Sequence, residues 1–195
     1  WQSSMTDMQI YNNTVYGNQF GGIKLQGPSV GLTPGGCMNN AVINNIAVNS
    51  INGSNLLAYA GCENHGADGI GNVYLFNDLG SPSPNFIQWG ITSNGQTRYE
   101  STYDAWESDL GNCGNAGCSH SVESDPIFTS VTTNDFTVGP SSATIGAGMN
   151  LGQTYADDLS SSSSWPSNVL VDSQGSFGGG WSIGAFTDAA ISVSN

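Results

Sequence analysis

The run Ile10-Tyr11-Asn12-Asn13-Thr14-Val15-Tyr16-Gly17-Asn18 lies over Val42-Ile43-Asn44-Asn45-Ile46-Ala47-Val48-Asn49-Ser50 at an offset of 32 residues, so that Asn12 and Asn13 match Asn44 and Asn45. After each copy comes a Gly or Asn turn and a second apolar run, Gly22-Ile23-Lys24-Leu25 in one and Asn55-Leu56-Leu57-Ala58 in the other. A looser third copy opens at Val73-Tyr74-Leu75-Phe76-Asn77-Asp78. Short apolar runs returning at a fixed period are what a parallel β-solenoid requires. Each coil lays its strands on those of the coil before, about 4.8 Å away, and turns sharply between them. Asn suits the corners, because it tolerates left-handed backbone and its amide hydrogen-bonds along a stack of equivalents; the Asn-Asn pairs therefore read as turn ladders.

Outward from these copies, strand-like runs fall at residues 8–11, 22–25, 41–43, 55–59, 72–76 and 86–91. Gly, Ser, Asn and Thr interrupt every window in which apolar residues could keep helical spacing, which predicts an almost all-β chain. The expected organisation is one structural domain: coils over 1–98, a disulfide-containing loop region over 99–123, and a terminal coil with an irregular C-terminal cap over 124–195. The cap is expected because the last coil would otherwise present bare strand edges.

The chain has 195 residues, with 15 Asp and Glu against Lys24 and Arg98 as its two cations, for a net charge of −13. Nucleic acid as a partner is excluded on that balance, and anionic membranes and polyuronates are disfavoured. Hydrophobic residues at 37% with charged residues at 9% mark a folded chain rather than a disordered acidic one. No apolar run approaches the roughly 20 residues of a membrane span. The surface must be built of Ser, Asn, Thr and Gly, which suits secretion. The chain opens at Trp1 without an initiating Met, and it is read as processed or as a piece of something longer.

Four cysteines in Gly-rich surroundings point to an oxidising compartment. Three pairings are open, of which Cys37 with Cys62 and Cys113 with Cys118 is favoured, because the Gly-rich spacer lets the second pair close a tight loop. Structural zinc competes poorly, for want of a Cys-x-x-Cys spacing.

Further along, Ser124-Asp125-Pro126-Ile127-Phe128, Asn134-Asp135-Phe136-Thr137-Val138 and Ser141-Ser142-Ala143-Thr144-Ile145-Gly146-Ala147-Gly148 resemble the closing signature of secreted right-handed parallel β-helix repeat proteins, of pectin-lyase-like fold. Trp181-Ser182-Ile183-Gly184-Ala185-Phe186 is similar to the final segment of that family. Ser142, Thr144, Gly146 and Ser182 depart from its pattern, while the Gly and aromatic positions remain. The resemblance implies a right-handed parallel β-helix. It implies no one activity, since lyases, hydrolases, tailspikes and adhesins share the fold.

A lyase in this fold uses Lys or Arg as its base, and only Lys24 and Arg98 are at hand. A glycoside hydrolase needs carboxylates facing each other about 5 to 9 Å apart. The best cluster is Glu100, Asp104, Glu107 and Asp109, interleaved with Tyr99, Tyr103 and Trp106 as rings on which a sugar stacks; the same residues also read as a solvated loop with its aromatics packed inward. Glu63, His65 and Asp68 read as a metal-ligand set, with calcium the cofactor they would take, or as an acid/base pair for a hydrolase; no other cofactor is indicated. His120, Glu123 and Asp125 form another set, with Asp125 assigned to the turn before Pro126. Gly27-Pro28-Ser29-Val30-Gly31 and Gly180-Trp181-Ser182-Ile183-Gly184 match a nucleophile-elbow spacing but lack the following helix. Asn52 and Asn12 fit the N-glycosylation pattern, Asn52 better because Asn-Gly marks an exposed turn.

The function expected is a non-catalytic extracellular β-helix that stacks end to end with copies of itself or binds a surface or polysaccharide. Tyr11, Tyr16, Tyr59, Tyr74, Phe76 and Trp89 would serve packing or sugar contact. The alternative is a hydrolase of neutral glycans.

Overall fold

A computed structural model describes residues 5–26, 37–58, 62, 71–84, 86–91, 97–110, 121–160, 162–163, 167–175 and 180–186, without the side chains of 91, 97 and 107–110. The first strands are β1 (Met5–Thr6), β2 (Gln9–Tyr11), β3 (Thr14–Tyr16) and β4 (Ile23–Leu25). A second tier repeats them as β5 (Cys37–Met38), β6 (Ala41–Ile43), β7 (Ile46–Val48) and β8 (Leu56–Ala58). A third tier supplies β9 (Val73–Leu75) and β10 (Ile87–Ile91).

Pairing follows the sequence offset. Gln9 pairs with Ala41 and Ala41 with Val73, and Thr14 pairs with Ile46, all parallel. β4, β8 and β10 form a further parallel row, with Ile23 and Ile87 both opposite Leu56. Among the described residues the sheets hold two to four strands and none closes on itself. Inward positions Leu25, Leu56, Ala58, Ile87 and Trp89 are wholly buried, and Cys37 and Cys62, bonded as a disulfide, belong to the same core. Cys113 and Cys118 lie outside the described residues.

Strands of three residues require a sharp corner every five, and a left-handed residue makes each. Positive φ occurs at Asp7, Asn12 and Gly17, then at Asn39, Asn44 and Asn49, then at Gly71 and Phe76. The two members of each Asn-Asn pair divide the labour. Asn12 and Asn44 turn the corner, while Asn13, Asn45 and Asn77 form the ladder: Asn13 Nδ2 donates to Asn45 Oδ1 at 2.9 Å and Asn45 Nδ2 to Asn77 Oδ1 at 3.0 Å. A second ladder joins Asn40 Nδ2 to Asn72 Oδ1 at 2.9 Å. The amides of Asn40, Asn45, Asn72 and Asn77 are buried yet satisfied, because the repeat supplies a partner at every step.

After β10 the chain reverses into β11 (Thr97–Glu100), antiparallel to β10, and enters α1 (Tyr103–Leu110). A helix stands where the sequence predicts only a loop. Thr102 Oγ1 accepts from the Ala105 amide and Glu123 Oε1 from the Asp104 amide, satisfying two of the free donors at a helix start. Tyr103 and Trp106, one turn apart, face inward together. The Tyr103 hydroxyl accepts from Asn77 Nδ2 at 3.1 Å and donates to the Tyr74 carbonyl, and the Trp106 ring lies 4.7 Å from that of Tyr74. The third tier's end is thus covered by α1.

The C-terminal segment takes a different place from the end cap expected of it. It carries the hairpins β12 (Phe128–Ser130) with β13 (Asp135–Val138) and β14 (Asp157–Leu159) with β15 (Val171–Ser173), both antiparallel. It lies along the flank of the tiers. The corner residue Asn44 bonds Met149 both ways, each at 2.8 Å, and Asn12 Nδ2 donates to the Tyr155 carbonyl. Gly184, at φ 106°, rests so close to β7 that a Cβ would meet Ile46 Cδ1 at 2.7 Å. Tyr16 packs against Phe128 and Phe136, and Tyr11 against Tyr155.

Candidate functional site

The loop between β7 and β8 and the turn after Asp78 enclose an open groove of about 610 Å³, whose floor and walls include Asn52, Ser54, Asn55, Gln88, Tyr99 and Asp125. Asn55 sets its shape. Its Oδ1 accepts from the Ser50 amide at 3.1 Å and its Nδ2 donates to the Leu79 carbonyl at 2.7 Å, so one side chain ties the second-tier loop to the third tier. Gln88 and Tyr99 are opposite one another on β10 and β11, and the Tyr99 side is half exposed.

Ser54 is buried on this wall, and neither its hydroxyl nor the shielded hydroxyl of Ser50, another lining residue, has a hydrogen-bond partner. A buried hydroxyl without a partner costs on the order of 1 to 3 kcal/mol. Both oxygens are shielded from solvent, so they lie behind the groove surface and not on it.

Two carboxylates hold the opposite wall. Asp78 Oδ1 accepts from the Gly80 amide at 2.8 Å and Asp125 Oδ1 from the Ser81 amide at 3.0 Å. Asp125 therefore reaches across to the third tier instead of only shaping the turn before Pro126. Gly80, at φ 82°, makes this possible, because a Cβ there would press on Val48 and on Asp125 Oδ1. Asp78 is wholly enclosed, bridged to Ile46 on one side and Val122 on the other, and its Oδ2 has no partner. Burial pushes its pKa from 3.8 to about 7, the Gly80 bond pulls it back, and the Asp125 charge adds to the rise.

No family model, no curated protein and no solved structure matches this chain. The functional reading therefore stands on geometry.

Of the aromatics proposed for sugar contact, Tyr99 alone among the described residues is both exposed and on the groove. Tyr103 and Trp106 are fully buried, the Trp106 ring against those of Tyr74 and Trp89 and the Tyr103 ring against Trp106, so they offer a sugar no face in this conformation. Glu100 Oε1 accepts from Trp89 Nε1 at 3.3 Å, and Asp104 sits exposed on α1, so these two acids are placed in structural surroundings and not on the groove. The Glu107 and Asp109 side chains, the trio Glu63, His65 and Asp68, and also His120 and Tyr59, lie outside the described residues. Among the described residues no group of three or more His, Cys, Asp or Glu is placed to hold a metal ion. Arg98 lies over the Trp89 ring at 5.1 Å. Ser182 is buried and accepts from the Gly146 amide, and the match around Ser29 lies outside the described residues. Asn12 Nδ2 is committed to Tyr155, whereas Asn52 is exposed at the groove edge.

Sequence reading missed Ser50, Ser54, Asn55, Gln88 and Asp78 as groove-forming residues. The signal was present for one of them: at Asp78 the third copy carries an acid where the earlier copies have Thr14 and Ile46.

Proposed function

We propose that this chain is a secreted, right-handed parallel β-helix that binds a neutral glycan in the groove beside Tyr99 without cleaving it. The observation that carries this reading is the half-exposed Tyr99 ring on an open groove lined mainly by Asn, Ser and Gln. Sugars are met by a ring face for their apolar side together with short polar groups for their hydroxyls, and Asn52 and Gln88 add amides of both polarities. A net charge of −13 favours a neutral chain over a polyuronate. The 32-residue parallel register, the left-handed corners and the C-terminal motifs support the β-helix, and the disulfide supports an oxidising destination. No helix among the described residues is long and apolar enough to cross a membrane.

Binding is favoured over hydrolysis because cleavage needs two carboxylates at the scissile bond. Among the described residues the groove presents Asp125, with Asp78 enclosed behind the turn. Binding is favoured over end-to-end stacking because α1 occupies the end of the third tier.

Calorimetric titration with gluco-, manno- and xylo-oligosaccharides tests this. Saturable binding is expected, weakened about tenfold by Tyr99→Ala, which leaves the unfolding midpoint unchanged. Lack of binding by all three series would sink the proposal, and release of new reducing ends would overturn its non-catalytic part.

A further inference from the structure

The wall formed by residues 80 and 81 is held in an unusual way. Two consecutive backbone amides are each taken by a carboxylate, Gly80 by Asp78 from behind and Ser81 by Asp125 from the open side. Asp78 is fixed in place by its own backbone, with its amide on the Asn45 carbonyl at 2.8 Å and its carbonyl accepting from Ala47 at 2.9 Å. It has no room to turn its charge to solvent. Its free oxygen Oδ2 meets no donor, so ionisation would leave a charge that only movement of the turn, or entry of water past it, could solvate.

Among the described residues the surroundings add no counter-charge. β7 brings Ile46 and Ala47, and the segment on the other side brings Val122. Glu123 beside it is engaged with the Asp104 amide, and the charge that acts on Asp78 is that of Asp125, of the same sign.

We propose that Asp78 and Asp125 make this turn a proton-sensitive wall of the groove: it closes on the groove while Asp78 is neutral and yields when Asp78 ionises, so that a glycan is held in mildly acidic medium and released in mildly alkaline medium. The proposal rests on the glycan-binding reading of the groove for its ligand, and on the two carboxylate-held amides for its device. The sign follows from burial. Asp78 keeps its proton up to about pH 7, well above the range of an exposed carboxylate, so the closed wall belongs to the acidic side of that value and the strained one to the alkaline side.

The experiment follows the Gly80 and Ser81 amide resonances by NMR between about pH 6 and pH 8, with xylo-, manno- and gluco-oligosaccharide affinities measured across the same range. In the wild type both resonances should titrate together near pH 7. Affinity should fall about tenfold, the change that accompanies a one-unit shift of the Asp78 pKa on binding. Asp78→Asn keeps an acceptor for the Gly80 amide but cannot ionise, so resonances and affinity should both become flat. That control also separates the Asp78 carboxyl from any other group of the chain. Should Asp78→Asn fail to fold, Asp125→Asn serves instead: it removes the like charge and should move the Gly80 midpoint to lower pH.

Resonances that stay still in the wild type, or that titrate unchanged in Asp78→Asn, would overturn the device. Binding that does not vary with pH would overturn its control of the groove and leave glycan binding standing. Titrating amides with no oligosaccharide bound at any pH would confirm the device and sink the glycan reading.

Discussion

The tiers and the flank solve the same problem, a surface with few charges and many amides, by different means. In the tiers Asn40, Asn45, Asn72 and Asn77 are buried at 0 to 1% exposure, because the residue 32 positions away offers the complementary amide. Among the described residues of the flank, 121–186, no such register exists. Its buried polar groups pair locally or singly, as Ser142 does with Thr144 at 2.8 Å and Gln174 with Asp158 at 2.5 Å. Repetition is therefore what allows polar side chains to form a core: each hydrogen bond made once is made again one tier on.

The sharpest way to break this comparison is to remove one amide from each region. Asn45→Ala deprives Asn13 of an acceptor for both its backbone amide and its side chain, and frees the Ile10 carbonyl. The expected loss is on the order of 3 to 5 kcal/mol in chemical denaturation, against about 1 kcal/mol for Thr144→Val in the flank. Equal losses would show that the ladder is no more than a set of separate bonds.

Reduction comes next in size. The disulfide Cys37–Cys62 closes 25 residues of the tiered region, and cleaving it should cost about 3 kcal/mol. The tiers should loosen while the β12–β13 amides keep their hydrogen-exchange protection.

A third comparison, spread over pH, takes one buried acid from each region. Asp78 and Asp158 are both raised from 3.8 to about 7, mainly by burial, so each keeps its proton in the folded chain where the unfolded chain has lost it. Their contribution is complete below about pH 4 and is lost as pH rises to about 7, with a slope of roughly 1 kcal/mol per pH unit for each. Thermal melts should show stability falling over that window, and Asp78→Asn and Asp158→Asn should each remove about half of the slope. A rise in stability over the same window would refute the assignment of both.

Much of the tiered half is legible in the sequence because its register is written there. Asn12-Asn13 and Asn44-Asn45 announce an offset that the strand pairs Ile10 with Val42 and Tyr11 with Ile43 then obey. The second ladder is hidden, because its first position is Met8 and only Asn40 and Asn72 carry amides. Phe76 conceals the third corner, standing at φ 54° where its two predecessors are Asn. α1 escapes notice because eight residues give periodicity too little length, although Thr102 and the three-residue spacing of Tyr103 and Trp106 mark it in retrospect. The groove is illegible for a different reason. Its lining comes from stretches far apart in the chain, around Ser54, Ser81, Gln88, Tyr99 and Asp125, which no local pattern joins. The sequence-derived acidic cluster, by contrast, is drawn from neighbours along the chain, and Glu100 and Asp104 end up on different elements.

An amide ladder has no natural length, since every rung ends in a group ready for another. Here the count is closed by a phenol: Tyr103 receives the last amide proton from Asn77 and passes its own to Tyr74. Along that edge, size is thus uncoupled from termination. Units of 32 residues inserted upstream of α1 would lengthen the protein, and with it the wall available to an extended ligand, without any change to the residue that ends the count.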